Sequence, residues 1–260
     1  MAPSYSFGAK KPCYNSLVLL KTDSSTELTE QSVALEILKL GLSANNTFYL
    51  RFGDKDPFNF FHCHPVDSTA ELVHDKSASL EEYVHPPAWG MAQVVESTVN
   101  EIQVGTKFFG HLPIGTRVIF KDVSVNEEGN MVVKRPKVHS AYNVFRKIDT
   151  DEALLTEAYG DLAMVCWPGI ITGFGCYSTL QMKGFYGADN LVITSASSKV
   201  ALSLAFYLKD SGKNVLGYTS KQNVQFCQST GLYSQILDYD ADLDPSKKYL
   251  FIDIVGRSDI

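Results

Sequence analysis

Apolar and polar positions divide this chain into two textures, and the change falls near residue 150. Before it, short apolar stretches are separated by Gly and Pro. Residues 16–21 are apolar and short, and residues 33–42 (VALEILKLGL) at first alternate apolar with polar side chains. Residues 89–96, 115–121 and 130–133 are further candidates of the same kind. Such patterns predict half-buried strands, and Glu127-Glu128-Gly129-Asn130 predicts a turn. Many short strands so punctuated predict a small barrel-like or sandwich-like β domain. From residue 149 an acidic opening (DTDE) leads into helical periodicity through residue 162. Strands and helices then alternate.

In the second half, residues 190–201 (NLVITSASSKVA) are the most informative. An apolar strand at 191–194 runs into Ser195-Ala196-Ser197-Ser198, then Lys199 and a helix rich in Ala, Leu and Ser to residue 208. That order puts a helix N-terminus just past a strand's carboxyl end. Orphan N–H groups and the helix dipole there favour an anion such as phosphate. A second strand, 214–218, ends in Thr219-Ser220-Lys221, and a third, 249–255, ends in Gly256. This alternation predicts the nucleotide-binding half of a doubly wound sheet. The expected fold is therefore α/β, with a β-rich domain over 1–148 and a Rossmann-type domain over 149–260.

The loop holds no glycine, whereas the dinucleotide fingerprint uses GxGxxG to let backbone approach a pyrophosphate. Small serines still permit approach, and their hydroxyls can donate to phosphate oxygens. A serine-rich turn capping a structural helix is the competing reading. No acid stands at the end of the second strand to hold ribose hydroxyls. Thr219, Ser220 and Lys221 suit the extra phosphate of NADP rather than NAD.

Composition narrows the classes further. The 260 residues carry a formal net charge of −6 and no basic stripe, which argues against nucleic-acid binding. Apolar runs are too short to span a bilayer, so no membrane partner is expected. Five dispersed cysteines without CxxC spacing fit a reducing compartment, with the cytoplasm as default. His62-Cys63-His64 resembles a metal motif, but no third ligand stands at a defined spacing, and no metal site is expected.

Several segments resemble the medium-chain dehydrogenase/reductase superfamily, in the order that family shows them. Residues 44–53 (ANNTFYLRFG) resemble the asparagine–tyrosine–arginine–glycine segment of its zinc-independent, quinone-oxidoreductase-like branch. Trp89-Gly90-Met91-Ala92-Gln93-Val94-Val95-Glu96 stands where that family has a glycine- and alanine-rich strand, and Val104-Gly105-Thr106-Lys107-Phe108-Phe109-Gly110 resembles the turn after it. Gly217-Tyr218-Thr219-Ser220-Lys221 and Ile236-Leu237-Asp238-Tyr239 resemble the cofactor-domain signature. Within the superfamily the likeness is to a branch with a tryptophan-glycine strand and a serine-alanine-serine-serine-lysine phosphate loop.

The resemblance implies a GroES-like first domain, an NADP cofactor, and hydride transfer to a small-molecule carbonyl, enone or quinone. It also implies that Tyr239 reaches the NADP phosphate. Without zinc, which the Trp89-Gly90-Met91 strand cannot ligate, carbonyl polarisation falls to donors. Tyr49 is the first candidate, with Asn45 and Asn46 orienting substrate or nicotinamide. Family members continue beyond the strand at 249–255 and often form homodimers, so a C-terminally shortened chain is expected. A nucleotide-binding or scaffold protein of the same fold without catalysis is the alternative.

Overall fold

The computed structural model describes residues 3–23, 27–74, 78–148, 157–254 and 256. The chain divides into two compact units, Met1–Val165 and Cys166–Ile260. The first contains strands β1 (Ser4–Lys10), β2 (Leu17–Thr22) and β3 (Val33–Gly41), then helix α1 (Asn45–Arg51). Strands β4 (Glu71–Leu72), β5 (Tyr83–Val84), β6 (Pro87–Ser97) and β7 (Lys107–Pro113) follow. Strands β8 (Arg117–Phe120), β9 (Val123–Val125), β10 (Met131–Val133) and β11 (Val144–Lys147) complete it.

These strands form two antiparallel sheets, ordered β4-β2-β1-β5 and β8-β3-β6-β7-β11-β10-β9. The larger sheet buries Val33, Leu35, Val94, Phe108, Phe120 and Phe145. The expected alternation along β3 fails at its start, where Val33, Ala34 and Leu35 are all fully buried. β3 is an interior strand, paired with both β6 and β8, and a register shift at Ala34/Leu35 breaks the period of two. Residues 107–110, which resembled part of a turn, instead start β7.

The chain passes into the second unit along α2 (Glu157–Met182). The acidic opening expected at 149–152 lies outside the described residues. The second unit continues with β12 (Asn190–Ile193), α3 (Lys199–Leu208), β13 (Asn214–Thr219), α4 (Val224–Ser229), β14 (Gln235–Asp238) and β15 (Tyr249–Ile252). All four strands are parallel, ordered β14-β13-β12-β15. β15 ends at Ile252 rather than at 255, and residue 255 lies outside the described residues.

β12 reads as a continuous apolar run because both sheet faces are covered. Leu191 and Ile193 pack with Leu204 and Leu208 of α3, while Val192 packs with Leu216 and Tyr218 on the other face. Ala201, Leu204, Ala205 and Leu208 give α3 its buried stripe. α2 comes very close to α3: a Cβ added at Gly169 would lie 2.8 Å from the Cβ of Lys199, and one at Gly173 would lie 2.6 Å from the Ser203 hydroxyl. No helix among the described residues is long and apolar enough to cross a membrane.

Candidate cofactor site

β13 and β14 lie on one side of β12 and β15 on the other, so the winding reverses at the carboxyl ends of β12 and β15. Open α/β sheets hold ligands at such a point. Here β12 hands over to α3 through residues 194–198. Ser195 turns the chain with φ of 52°, in the left-handed region that residues other than glycine seldom adopt. Ala196 is fully buried. Its N–H donates to the Tyr218 carbonyl at 2.9 Å, and its carbonyl accepts the Tyr233 hydroxyl at 2.8 Å. A Cβ on Gly217 would stand 2.8 Å from the Ala196 methyl and 2.9 Å from the Tyr233 ring. Glycine at 217 is what lets β13 lie this close to the loop.

Ser198 caps α3 from an extended backbone, its Oγ accepting the Ala201 N–H at 3.3 Å. The amides of Ser197, Lys199 and Val200 have no hydrogen-bond partner among the described residues. They sit at the positive end of a ten-residue helix. An anion with several acceptor oxygens fits this corner.

The other expected ligands surround the loop at different depths. Thr219, buried at the end of β13, has its hydroxyl 3.5 Å from that of Ser197. Ser220 accepts the Asn223 side-chain amide at 3.0 Å. Lys221 reaches into solvent, where its ammonium lies 2.7 Å from the Asp240 carboxylate. That contact raises the lysine pKa and lowers that of Asp240. Tyr239 stacks on Tyr218, with ring centroids 6.2 Å apart, and its hydroxyl accepts the Ser195 N–H at 3.0 Å. At the tip of β15, the Thr194 hydroxyl donates to Asp253 at 2.8 Å, and the Gly256 N–H donates to the same carboxylate at 3.0 Å.

Tyr233 and Asp253 were missed in the sequence reading. Asp253 had a signal, being the polar end of the apolar strand 249–252. Tyr233 had none, because only the tertiary fold brings it to Ala196.

In the first unit, Asn45, Asn46 and Tyr49 lie on α1. Asn46 ties that helix down: its Oδ1 accepts the Ser43 N–H at 2.7 Å, and its amide donates to the Pro87 carbonyl at 2.9 Å. Tyr49 is 2% exposed, and its hydroxyl accepts the Trp89 indole N–H at 2.7 Å. Rings of Phe60 and His111 stand 4.7 and 4.9 Å from the Tyr49 ring. Burial, then the neighbouring Tyr142, push its pKa far up, only partly opposed by hydrogen bonds from Trp89 and Asn45. Arg51 lies over the Phe52 ring at 5.9 Å and forms no ion pair with Asp54 or Asp56.

His111, also missed, is completely buried, and neither ring nitrogen has a partner among the described residues. Burial and then the charge of Arg135 hold its pKa well below the usual histidine value. In the His62-Cys63-His64 triplet, His64 is spent on the His111 carbonyl at 2.9 Å, and burial pushes the Cys63 thiol up to about 11. No group of three or more His, Cys, Asp or Glu that could hold a metal ion occurs among the described residues.

The family described as protein of unknown function (DUF2855) matches residues 40–260. The chain belongs to that family. No curated protein matches this DUF2855 chain. Among solved structures, it is similar to a mutant form of enoyl thioester reductase from Candida tropicalis, with 11% identity and a TM-score of 0.56. That match covers 92% of this chain and 62% of the reductase. The quinone oxidoreductase from Coxiella burnetii matches with 14% identity and a TM-score of 0.53, over 98% of this chain and 70% of that one. A structure titled as the Etr1p/NADP/crotonyl-CoA complex matches with 12% identity and a TM-score of 0.55, over 92% of this chain and 62% of that one. At such identities the likeness is one of fold. The DUF2855 chain shares a GroES-like plus Rossmann-type fold with these reductases, and spans about three fifths of the length of the first of them.

Proposed function

We propose that this DUF2855 chain belongs to an NADP-dependent, zinc-independent oxidoreductase that transfers hydride to a small carbonyl, enone or quinone. The observation that carries the reading is the set of three amides, of Ser197 in the loop and of Lys199 and Val200 at the start of α3, that have no partner among the described residues and stand at the reversal point of a parallel sheet. These amides would hold the pyrophosphate, with the Ser195 and Ser197 hydroxyls beside it. Thr219, Ser220, Lys221 and Tyr239 would surround the adenosine ribose and its phosphate. The absence of an acid at the tip of β13 favours NADP over NAD. The fold shared with the reductases supports the same reaction class, and one of those structures is named for NADP and an enoyl thioester.

Bound NADPH would supply the hydride. For the substrate oxygen the reading assigns Tyr49, which its raised pKa keeps protonated as a neutral donor. Asn45 has its side chain beside that hydroxyl and would help orient the substrate. A second reading, a nucleotide-binding scaffold, draws support from the Tyr49 hydroxyl, which is engaged by Trp89 and shut away from water.

Titration calorimetry with NADPH and NADH, followed by NADPH oxidation assays with enones and quinones, separates the two. Tight NADPH binding with turnover supports the enzyme. Binding without turnover supports the scaffold, and binding of neither nucleotide overturns both.

A further inference from the structure

The first unit holds a cavity of about 450 Å³ whose wall includes Ser6, His85, Arg117, Val118, Phe120 and Arg135. Arg135 donates from Nε to the Asn143 side-chain oxygen at 2.9 Å and from Nη1 to the Cys63 carbonyl at 2.7 Å; Nη2 donates to the Tyr142 carbonyl. All three acceptors are neutral. Its guanidinium rests over the rings of Phe120 and Phe145, 5.6 and 5.7 Å from their centroids. No carboxylate lies within ion-pair range of Arg135 among the described residues.

A guanidinium carries five N–H donors, so one on each terminal nitrogen is unused by the described residues. A partly buried cation held only by neutral groups is costly, and an anion beside it offsets that cost. The charge is felt nearby, since it helps to lower the pKa of both His64 and His111.

The rest of the wall is polar at one place and apolar at others. The Ser6 hydroxyl lies 3.0 Å from His85 Nε2, and His85 Nδ1 lies 3.2 Å from the His64 carbonyl. Because a carbonyl only accepts, Nδ1 carries the proton and Ser6 donates to Nε2. Arg117 already has Glu96 at 3.5 Å. The acids at this cavity, Asp23, Asp67 and Asp122, are exposed, as are Lys121 and Lys134. The distinctive pairing is a partly buried guanidinium without a carboxylate beside the apolar surface of Val118 and Phe120.

We propose that this cavity binds a small organic carboxylate, with the acid group on Arg135 and the apolar body against Val118 and Phe120. Its volume falls in the range of small-molecule pockets. The inference concerns the first unit alone and stands apart from the nucleotide reading.

The test is calorimetry on the full chain, without nucleotide, using sodium benzoate, neutral benzamide and inorganic phosphate. Saturable benzoate binding is expected, with benzamide at least roughly tenfold weaker, the loss expected for one charge-assisted contact. Arg135→Gln should weaken benzoate binding by a similar factor. Because Arg135 also ties Cys63 to Tyr142, Val118→Phe provides an independent variant: it fills the cavity, keeps the guanidinium and should also lose benzoate. Equal binding of benzoate and benzamide, benzoate binding unchanged in Val118→Phe, saturation by phosphate alone, or no binding at all would each overturn the proposal.

Discussion

The Tyr239 hydroxyl accepts the Ser195 amide N–H at 3.0 Å, so the end of β14 is tied to the turn that leaves β12. Tyr239→Phe removes that acceptor. The variant should lose about 1 kcal/mol of stability and show faster hydrogen exchange at the Ser195 amide. Urea unfolding and exchange mass spectrometry check both. An unchanged exchange rate would mean that the contact does not order the loop.

Ser195 adopts a positive φ without being glycine, and left-handed backbone costs such residues about 1 kcal/mol. Ser195→Gly should therefore be neutral or raise the melting temperature by a few degrees, despite the greater freedom glycine has when unfolded. A marked loss of stability would show that the hydroxyl matters more than the backbone.

Gly217→Ala drives a methyl against Ala196 and Tyr233. We expect a loss of about 1–3 kcal/mol and NADPH binding at least roughly tenfold weaker, because the displaced loop carries the α3 amides. Circular dichroism should still report the parental secondary structure. Wild-type NADPH affinity in this variant would uncouple the loop from the nucleotide.

Lys221 and Asp240 form an exposed pair, so its own contribution to stability is small. Its removal should instead be visible in cofactor choice. Asp240→Asn frees the ammonium and should tighten NADPH binding about two- to fivefold, while Lys221→Glu should weaken it about tenfold. Neither variant should change NADH binding. A parallel change for both nucleotides would place Lys221 away from the distinguishing phosphate.

His64, His85 and His111 all have depressed pKa values, mainly through burial. The unfolded chain takes up protons on these rings near the ordinary value of 6.5, before the folded chain does. Their contribution to stability is complete above that pH and falls as the pH drops through 6.5 towards the lower folded values, by up to about 1.4 kcal/mol per pH unit for each ring. Urea unfolding at pH 7.5 and 5.5 measures the slope, and His111→Phe should make it shallower. A wild-type slope in that variant would show that His111 does not titrate as described.

The strand–turn–helix corner at 190–208 was legible because its parts are contiguous: an apolar run needing no alternation, small residues, then a helix with its capping serine. The sheet around it could be read for similar reasons, since each strand ends where polar residues begin. Long-range partners were not legible. Tyr233 meets Ala196 from 37 positions away, and Trp89 meets Tyr49 from 40. β3 misled because a bulge interrupts its period, and β7 because Val104-Gly105-Thr106 directs attention to the turn before it. Nothing in the sequence around Arg135 marks it out; only folding places neutral acceptors around it.

Thr194, Asp253 and Gly256 bring together two strand tips 59 positions apart and station a carboxylate at the carboxyl end of β15, beside the turn that leads into α3. An elongated ligand with a charged middle and sugar ends would feel that asymmetry along its whole length. On the proposed reading its diphosphate would lie over the helix, and a sugar diol, not a phosphate, would suit the carboxylate. The crevice would thus dictate the direction in which such a molecule is threaded before any substrate arrives.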